Sequence, residues 1–244
     1  MDTSNRKIAL IAALEREVWP LVRNWPATER EFDGRKFTFF ENERAVLVCG
    51  GIGADAARRA AEAIICLHNP TAVESVGFAG ALDPKLAAGM VGEIKLVIDA
   101  TDGSRTESPG GDWTLVSTQS IAGITQKAKL AQAYGAHAVD MESAAVARAA
   151  QCHGLPFFAI KAISDAHDFE MPHMEAFITH DGCFRTGPFL LFALLRPWLW
   201  PNIVRLGRNS KKAAIALCKR LDQYNHGGEI SQAQPGLRPR TVSR

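Results

Sequence analysis

The stretch from residue 138 to residue 168, AVDMESAAVARAAQCHGLPFFAIKAISDAHD, constrains the fold more than any other part of the chain. Residues 136–140 are short and mostly apolar and end on Asp140. Residues 141–153 are alanine-rich, with apolar side chains at helical spacing, and read as a helix. Gly154 and Pro156 stop that helix, and residues 157–163 read as a buried strand. Strand, helix and strand joined by short loops predict a βαβ unit, whose crossover makes its two strands parallel. Asp140 and Glu142 stand where the first strand gives out, and Asp165 where the second does. In open parallel sheets, ligands sit beyond the carboxyl ends of the strands. Three acids gathered there mark a candidate site. Read singly, Glu142 is also a helix-start charge and Asp165 also a loop residue.

The rest of the chain supports an α/β reading. Residues 7–13 (KIALIAA) form an expected buried strand, and residues 15–23 an expected helix with Val18, Leu21 and Val22 on one face. Residues 36–41 and 45–49 read as a hairpin around 42–44. The glycine turn Gly50-Gly51-Ile52-Gly53 feeds an alanine-rich helix over 54–68. Strands are expected over 73–78, 91–98 and 114–117, and a helix over 126–134. Residues 101–112 read as a polar loop. After Asp165 comes a His- and Met-bearing loop, and then a helical C-terminal third interrupted by Pro188, Pro197 and Pro201. Residues 224–244 are polar and Gly/Pro-bearing and are expected to be a disordered tail. With no internal repeat and no linker before that tail, residues 1–223 are expected to form one domain.

Net charge is +2, which alone suggests no polyanionic partner, and no nucleic-acid binding is expected. The distribution is uneven. Residues 1–184 carry 17 Lys and Arg against 24 Asp and Glu, whereas residues 185–244 carry 11 against 2. Such a split can mark a basic contact surface. The five cysteines, at 49, 66, 152, 183 and 218, are scattered and show no metal or redox spacing. They suit a reducing compartment, so a cytoplasmic location is expected. The apolar run 8–14 meets Glu15 too early for a signal peptide, and no stretch reaches the roughly 18 apolar residues of a spanning helix. His167, Asp168, His173, His180 and Asp181 match no zinc or two-histidine pattern, so no metal is expected.

Four pieces occur together and in order: AALEREV after the first strand, GGIGADAA after a later one, VGFAGAL after the next, and VDMESAA followed by AIKAISDAHD. Together they resemble the nucleoside phosphorylase and nucleosidase superfamily, and are most similar to the 5′-methylthioadenosine/S-adenosylhomocysteine nucleosidases. The resemblance runs from about residue 7 to 168. It implies a three-layer α/β/α sandwich around a twisted, mostly parallel sheet. It also implies cleavage of a purine N-glycosidic bond, with adenine as the expected base and no cofactor. That reaction builds an oxocarbenium-like ribose and a negative base, so the base must gain a proton and the nucleophile must be positioned.

By resemblance, Asp165 handles the proton at purine N7, a role that needs a raised pKa, which burial could supply. Ser164 orients its carboxyl. Glu142 grips the ribose hydroxyls, Met141 lies against the ribose and Ile52 is an apolar wall. Glu17 matches the glutamate that holds and activates water. On residues alone, Glu17 reads as a first-turn helix acid, and Glu15 is its rival for the role. The sequence departs from the pattern at Phe78, where a serine is usual, and at Lys161, where arginine is usual. Phenylalanine cannot donate to phosphate, and lysine loses the bidentate fork of arginine. The middle, 101–123, is shorter than in the nucleosidases. It leaves no clear base-stacking aromatic, with Ile121 nearest by position, and a more open 5′ side is expected. Hydrolysis with Glu17 and Asp165 as catalytic residues is therefore the leading expectation, with a nucleoside as the small-molecule partner. The alternatives are a phosphorylase that uses phosphate as co-substrate, acting in one version on a lipid-linked adenosine derivative such as adenosylhopane, and a nucleoside-binding protein without turnover. The resemblance also implies a homodimer.

Residues 185–221 stand apart from that resemblance. They carry Arg185, Arg196, Arg205, Arg208, Lys211, Lys212, Lys219 and Arg220, and no acid. Apolar runs broken by prolines, two tryptophans and only basic charges suit peripheral contact with the inner membrane surface. The other reading is a C-terminal helix packed on the sheet or in a dimer contact.

Overall fold

The computed structural model describes residues 7–171 and 174–227. The chain begins with strand β1 (Ile8–Ala12) and helix α1 (Glu15–Val22). Strands β2 (Ala27–Phe32), β3 (Arg35–Glu41) and β4 (Ala45–Cys49) follow, then helix α2 (Ala54–His68). Next come β5 (Ala72–Ala81), β6 (Val91–Asp99), β7 (Arg105–Glu107) and β8 (Trp113–Ser117). Helix α3 (Ile124–Tyr134), strand β9 (Ala138–Asp140), helix α4 (Ser143–Cys152) and strand β10 (Phe157–Asp165) complete the sheet. Helices α5 (Thr186–Leu194) and α6 (Trp200–Gly227) end the described chain.

Alternation along β1 decides which side each helix takes, because successive side chains leave a strand on opposite faces. Ala9 and Ile11 join Ala57, Ala60, Ile64, Val146 and Ala150, the inner faces of α2 and α4. Leu10 and Ala12 join Val18, Leu21, Leu217 and Leu221, from α1 and α6. Helices thus cover both faces of the sheet. Alanine at five buried positions of α2 (56, 57, 60, 61 and 63) and three of α4 (147, 149 and 150) lets these helices approach the sheet and each other closely. Leu217 is wholly buried, so α6 is a core element in its second half. Truncating a side chain so placed to alanine costs about 2–5 kcal/mol.

The sheet order is β10-β6-β8-β9-β5-β1-β4-β3-β2, and β10 also pairs with β5. Strands β5, β10, β6, β8 and β9 therefore close into a ring, from which β1, β4, β3 and β2 extend as an open wing. The centre, β4-β1-β5-β10, is parallel as expected. The flanks are less so: β2–β3, β3–β4, β5–β9, β6–β7 and β6–β10 are antiparallel, and the sheet is mixed rather than mostly parallel.

Ring closure also corrects the expected βαβ unit. β9 pairs parallel with β8 and antiparallel with β5, while β10 lies on the far side of β5 and runs parallel to it. The strands joined by α4 are thus neither neighbours nor parallel. A three-residue strand closing a ring can be crossed by a short helix without the right-handed return that an open parallel sheet demands. The expected loop over 101–112 contains β7, paired with β6. Helix α6 runs on to Gly227, so the expected tail does not begin at 224. Residues 228–244 lie outside the described residues.

Candidate active site

Residues at or just beyond the ends of six strands, β1, β4, β5, β8, β9 and β10, line one cavity of about 160 Å³. Among them are Glu17, Ile52, Phe78, Met141, Glu142, Ser164 and Asp165. Of the sequence-derived site residues, only Lys161 lies off the wall, immediately beneath it. Thr118, Ser120, Ile121 and Ala122, from the shortened middle, line the cavity too. The roof is Met171, Met174 and Ile178 from the loop after β10, with Leu206 and Ser210 of α6.

Glu17 is buried because of helical spacing. It shares its face of α1 with Leu21, four residues on, and sits beside Val18, which is fully buried. Its Oε2 is buried and has no hydrogen-bond partner among the described residues. Desolvation pushes its carboxyl up from 4.5 to about 7, and the nearby charge of Glu142 adds to this. Lys161, Arg16 and the Phe78 backbone N–H oppose the shift. Space for the carboxylate comes from Gly77, where a Cβ would lie 2.5 Å from Glu17 Oε2 and φ is +144°.

Glu142 caps α4 rather than entering it. Its side chain turns back, so that Oε1 accepts from the Gly53 N–H at 2.8 Å and Oε2 from the Met141 N–H at 3.2 Å. The GGIG turn thus anchors an acid 89 residues away in sequence. Burial raises the Glu142 carboxyl to about 7; Asp140 adds to the shift, and Lys161 and the two N–H donors oppose it.

Asp140 belongs to the floor. Its Oδ1 accepts from Ser117 Oγ at 2.6 Å, and its Oδ2 from the Ser143 N–H at 3.1 Å and Ser143 Oγ at 2.6 Å. Lys161 Nζ lies 3.0 Å from the same Oδ2 and donates to Ser75 Oγ at 3.1 Å. Since Ser143 spends its proton on Asp140, Ser75 is the donor in the 3.0 Å Ser75–Ser143 contact. Every polar group in this network is matched, which a low-dielectric interior requires. Lysine at 161 suits one buried carboxylate and one hydroxyl, Asp140 and Ser75, and its ammonium also faces the charges of Glu17 and Glu142.

Asp165 ends β10 at a register shift against β5, between Ile163 and Asp165. The irregularity lets both Ser164 and Asp165 reach the cavity instead of alternating away from it. Ser164 Oγ donates to Asp165 Oδ1 at 2.6 Å. The other oxygen, Oδ2, is held by Lys127, whose Nζ also donates to the Ala166 carbonyl at 2.8 Å. Both members of this ion pair are buried. Gly80 makes room for them: a Cβ there would lie 2.9 Å from Asp165 Oδ2 and 3.2 Å from Lys127 Cε.

Lys127 was not among the residues singled out from sequence. It stands three residues before Leu130, the other buried residue of α3. A charge on the apolar face of a helix was the available signal. His167, Asp168 and His180 gather no metal-type cluster among the described residues, and His173 lies outside them. Glu62, Cys66 and His153 do come within 4.8 Å of one another, on the surface where α2 meets α4.

The comparisons with known proteins agree with this architecture. The 5′-methylthioadenosine/S-adenosylhomocysteine nucleosidase of Neisseria meningitidis, solved with methylthio-immucillin-A, superposes with a TM-score of 0.67 at 20% identity, over 88% of this chain and 96% of that one. The Helicobacter pylori nucleosidase of the same name gives 0.66 at 16% identity, over 90% and 97%. A Helicobacter pylori futalosine hydrolase gives 0.64 at 16% identity, over 91% and 100%. At such identities the likeness is one of fold. No curated protein matches the sequence significantly. The family profile described as the phosphorylase superfamily matches residues 7–112 and 100–181, most of the chain and every wall of the cavity except its α6 side, so the chain belongs to that superfamily.

Proposed function

We propose that the protein hydrolyses the N-glycosidic bond of a purine nucleoside, with adenine as the base. The observation that carries the reading is the convergence of Glu17, Glu142 and the Lys127–Asp165 pair on one cavity. The structural neighbours named above, nucleosidases and a hydrolase, support the same class.

The roles follow from the surroundings of each acid. Glu17 presents a buried oxygen that no donor among the described residues satisfies, which suits it to take a proton from water. The water oxygen bonds to C1′ as the bond from C1′ to the base nitrogen breaks, and the electron pair leaves with the base. The base regains neutrality by a proton at N7. Lys127 holds that proton, and Asp165, hydrogen-bonded to it and to Ser164, passes it on. Proton supply therefore rests on a paired lysine rather than on burial of Asp165 alone. Lys161 acts by holding Asp140 and the charge balance beneath the two glutamates, a positioning role. Phe78 contributes a backbone donor to Glu17 and an apolar ring, and its side chain gives phosphate nothing to bind.

The test is purified protein with adenosine, 5′-methylthioadenosine and S-adenosylhomocysteine, with and without phosphate, following base and sugar by chromatography. Adenine and free sugar without phosphate are expected. Strict phosphate dependence with a ribose 1-phosphate product would replace hydrolysis by phosphorolysis. Binding of all three with no base released would leave a nucleoside-binding protein.

Glu142 makes a separate prediction. Its oxygens already accept one N–H each, and each keeps capacity to accept a ribose hydroxyl. Removing a donor from a buried carboxylate costs about 1–3 kcal/mol. The 2′-deoxy and 3′-deoxy substrates should therefore lose about tenfold or more in kcat/KM. Equal rates for deoxy and ribo substrates would remove Glu142 from the sugar.

A further inference from the structure

Helix α5 presents its apolar side chains outward. Its buried residues are Phe189 and Ala193, one turn apart, and the Phe189 ring packs against Phe177 and Phe184 at centroid distances of 5.5 and 5.3 Å. The four leucines occupy a different face. Leu190, Leu191, Leu194 and Leu195 recur at helical spacing and are 60–66% exposed. Trp198 is 70% exposed, and Trp200 and Val204 about half. Seven large apolar side chains within residues 190–204 thus share one corner of the molecule with nothing among the described residues over them. Patches of this kind on a folded protein mark an interaction surface.

The charges around the corner select its partner. Arg205 and Arg208 line an open groove of about 620 Å³ together with Pro197, Trp200, Pro201 and Val204. The Arg196 guanidinium lies 3.9 Å from the centre of the Phe192 ring, and Lys211 and Lys212 are exposed one turn further along α6. From 185 to 221 there is no acid. A second copy docking symmetrically on this face would set the cations of 185–221 against their own counterparts, and that segment carries no acid to receive them. A bilayer offers the complementary layering: acyl chains for the leucines, an interfacial zone for the indoles, and phosphates for arginine and lysine. No helix among the described residues is long and apolar enough to cross a membrane, so contact would be in the plane of the surface.

We propose that the α5–α6 corner docks the protein on an anionic lipid bilayer. The cavity lies close by, because Leu206 and Ser210 of α6 line it while Arg205 and Arg208, on the same turns, line the groove. The docking itself is independent of what the cavity turns over.

The test is flotation of the full chain with phosphatidylcholine vesicles and with vesicles that also contain phosphatidylglycerol. Binding is expected only to the second, weakening about tenfold or more when ionic strength rises to about 0.5 M. Leu191→Ser, Leu195→Ser and Trp198→Ser together should abolish it without changing the thermal melt, since all three side chains are exposed. Arg208→Gln with Lys211→Gln should weaken it while leaving the apolar face intact. Absence of binding to phosphatidylglycerol vesicles at low salt would overturn the proposal, as would equal binding to phosphatidylcholine alone. A dimer that the triple serine variant turns into monomer, with no vesicle binding by the parent, would assign the face to self-association instead.

Discussion

Asp165→Asn is expected to lower turnover of an adenine nucleoside by about a hundredfold or more, the scale of losing a positioned proton donor. Binding should fall far less, because the amide keeps the shape and one acceptor. The Lys127 contact makes the experiment more demanding than a simple loss of function. Replacing Asp165 by a neutral residue strands the Lys127 ammonium in a site that water barely reaches. Breaking a buried pair from one side costs about 3–5 kcal/mol of stability. The single variant should therefore melt lower, and part of any lost activity could be lost fold. Pairing it with Lys127→Met separates the effects. The double variant should regain stability while turnover stays low, and Lys127→Met alone should also be slow if the transferred proton originates on the lysine. Near-normal turnover in a folded Asp165→Asn protein would remove Asp165 from the reaction.

Which features were legible in the sequence depended on whether their cause was local. Helix α2 and strand β4 have the expected boundaries, because apolar runs flanked by glycine, asparagine and proline carry their own limits. Strand β2 was invisible for the opposite reason. ATEREF is an edge strand with five of its six residues exposed, so no apolar alternation betrays it. The direction of β9 is settled by ring closure with β8 and β5, whose partners lie far off in sequence. The site divides the same way. Glu142 and Asp165 stand where β9 and β10 give out and could be picked out there, whereas Glu17, inside α1, was singled out by the family resemblance. The orientation of Glu142 could not be read, because it is set by the Gly53 N–H across the sheet. Lys127 is 38 residues from its acid and carries no motif. In the C-terminal segment, the basic and apolar composition was readable, whereas the outward turn of the four leucines needed the packing of Phe189 to define the inner face.

Glu17→Gln is expected to abolish base release in phosphate-free buffer while nucleoside binding survives. The amide fills the same space beneath Gly77 and cannot take a proton from water. In the parent protein the carboxyl sits near 7, so only its ionised fraction can act as a base. kcat/KM should rise with pH through about 7 and level off above it. Glu142, close enough to repel Glu17, is pushed to a similar value, so the two titrate as a pair and the rise should be broader than that of one group. Stability should run the other way. An unfolded chain loses this proton near the ordinary value of 4.5, whereas the folded protein keeps it to about 7. The contribution is thus fully present below 4.5 and is lost as pH climbs to about 7. Thermal melts from about pH 5 to about pH 8 should show the parent losing stability over that window and Glu17→Gln losing less of it. A glutamine variant that still released adenine at the parent rate would hand the water to another group, with Glu15 the first to examine. A variant inactive without phosphate yet active with it would mean that Glu17 excludes phosphate rather than activates water.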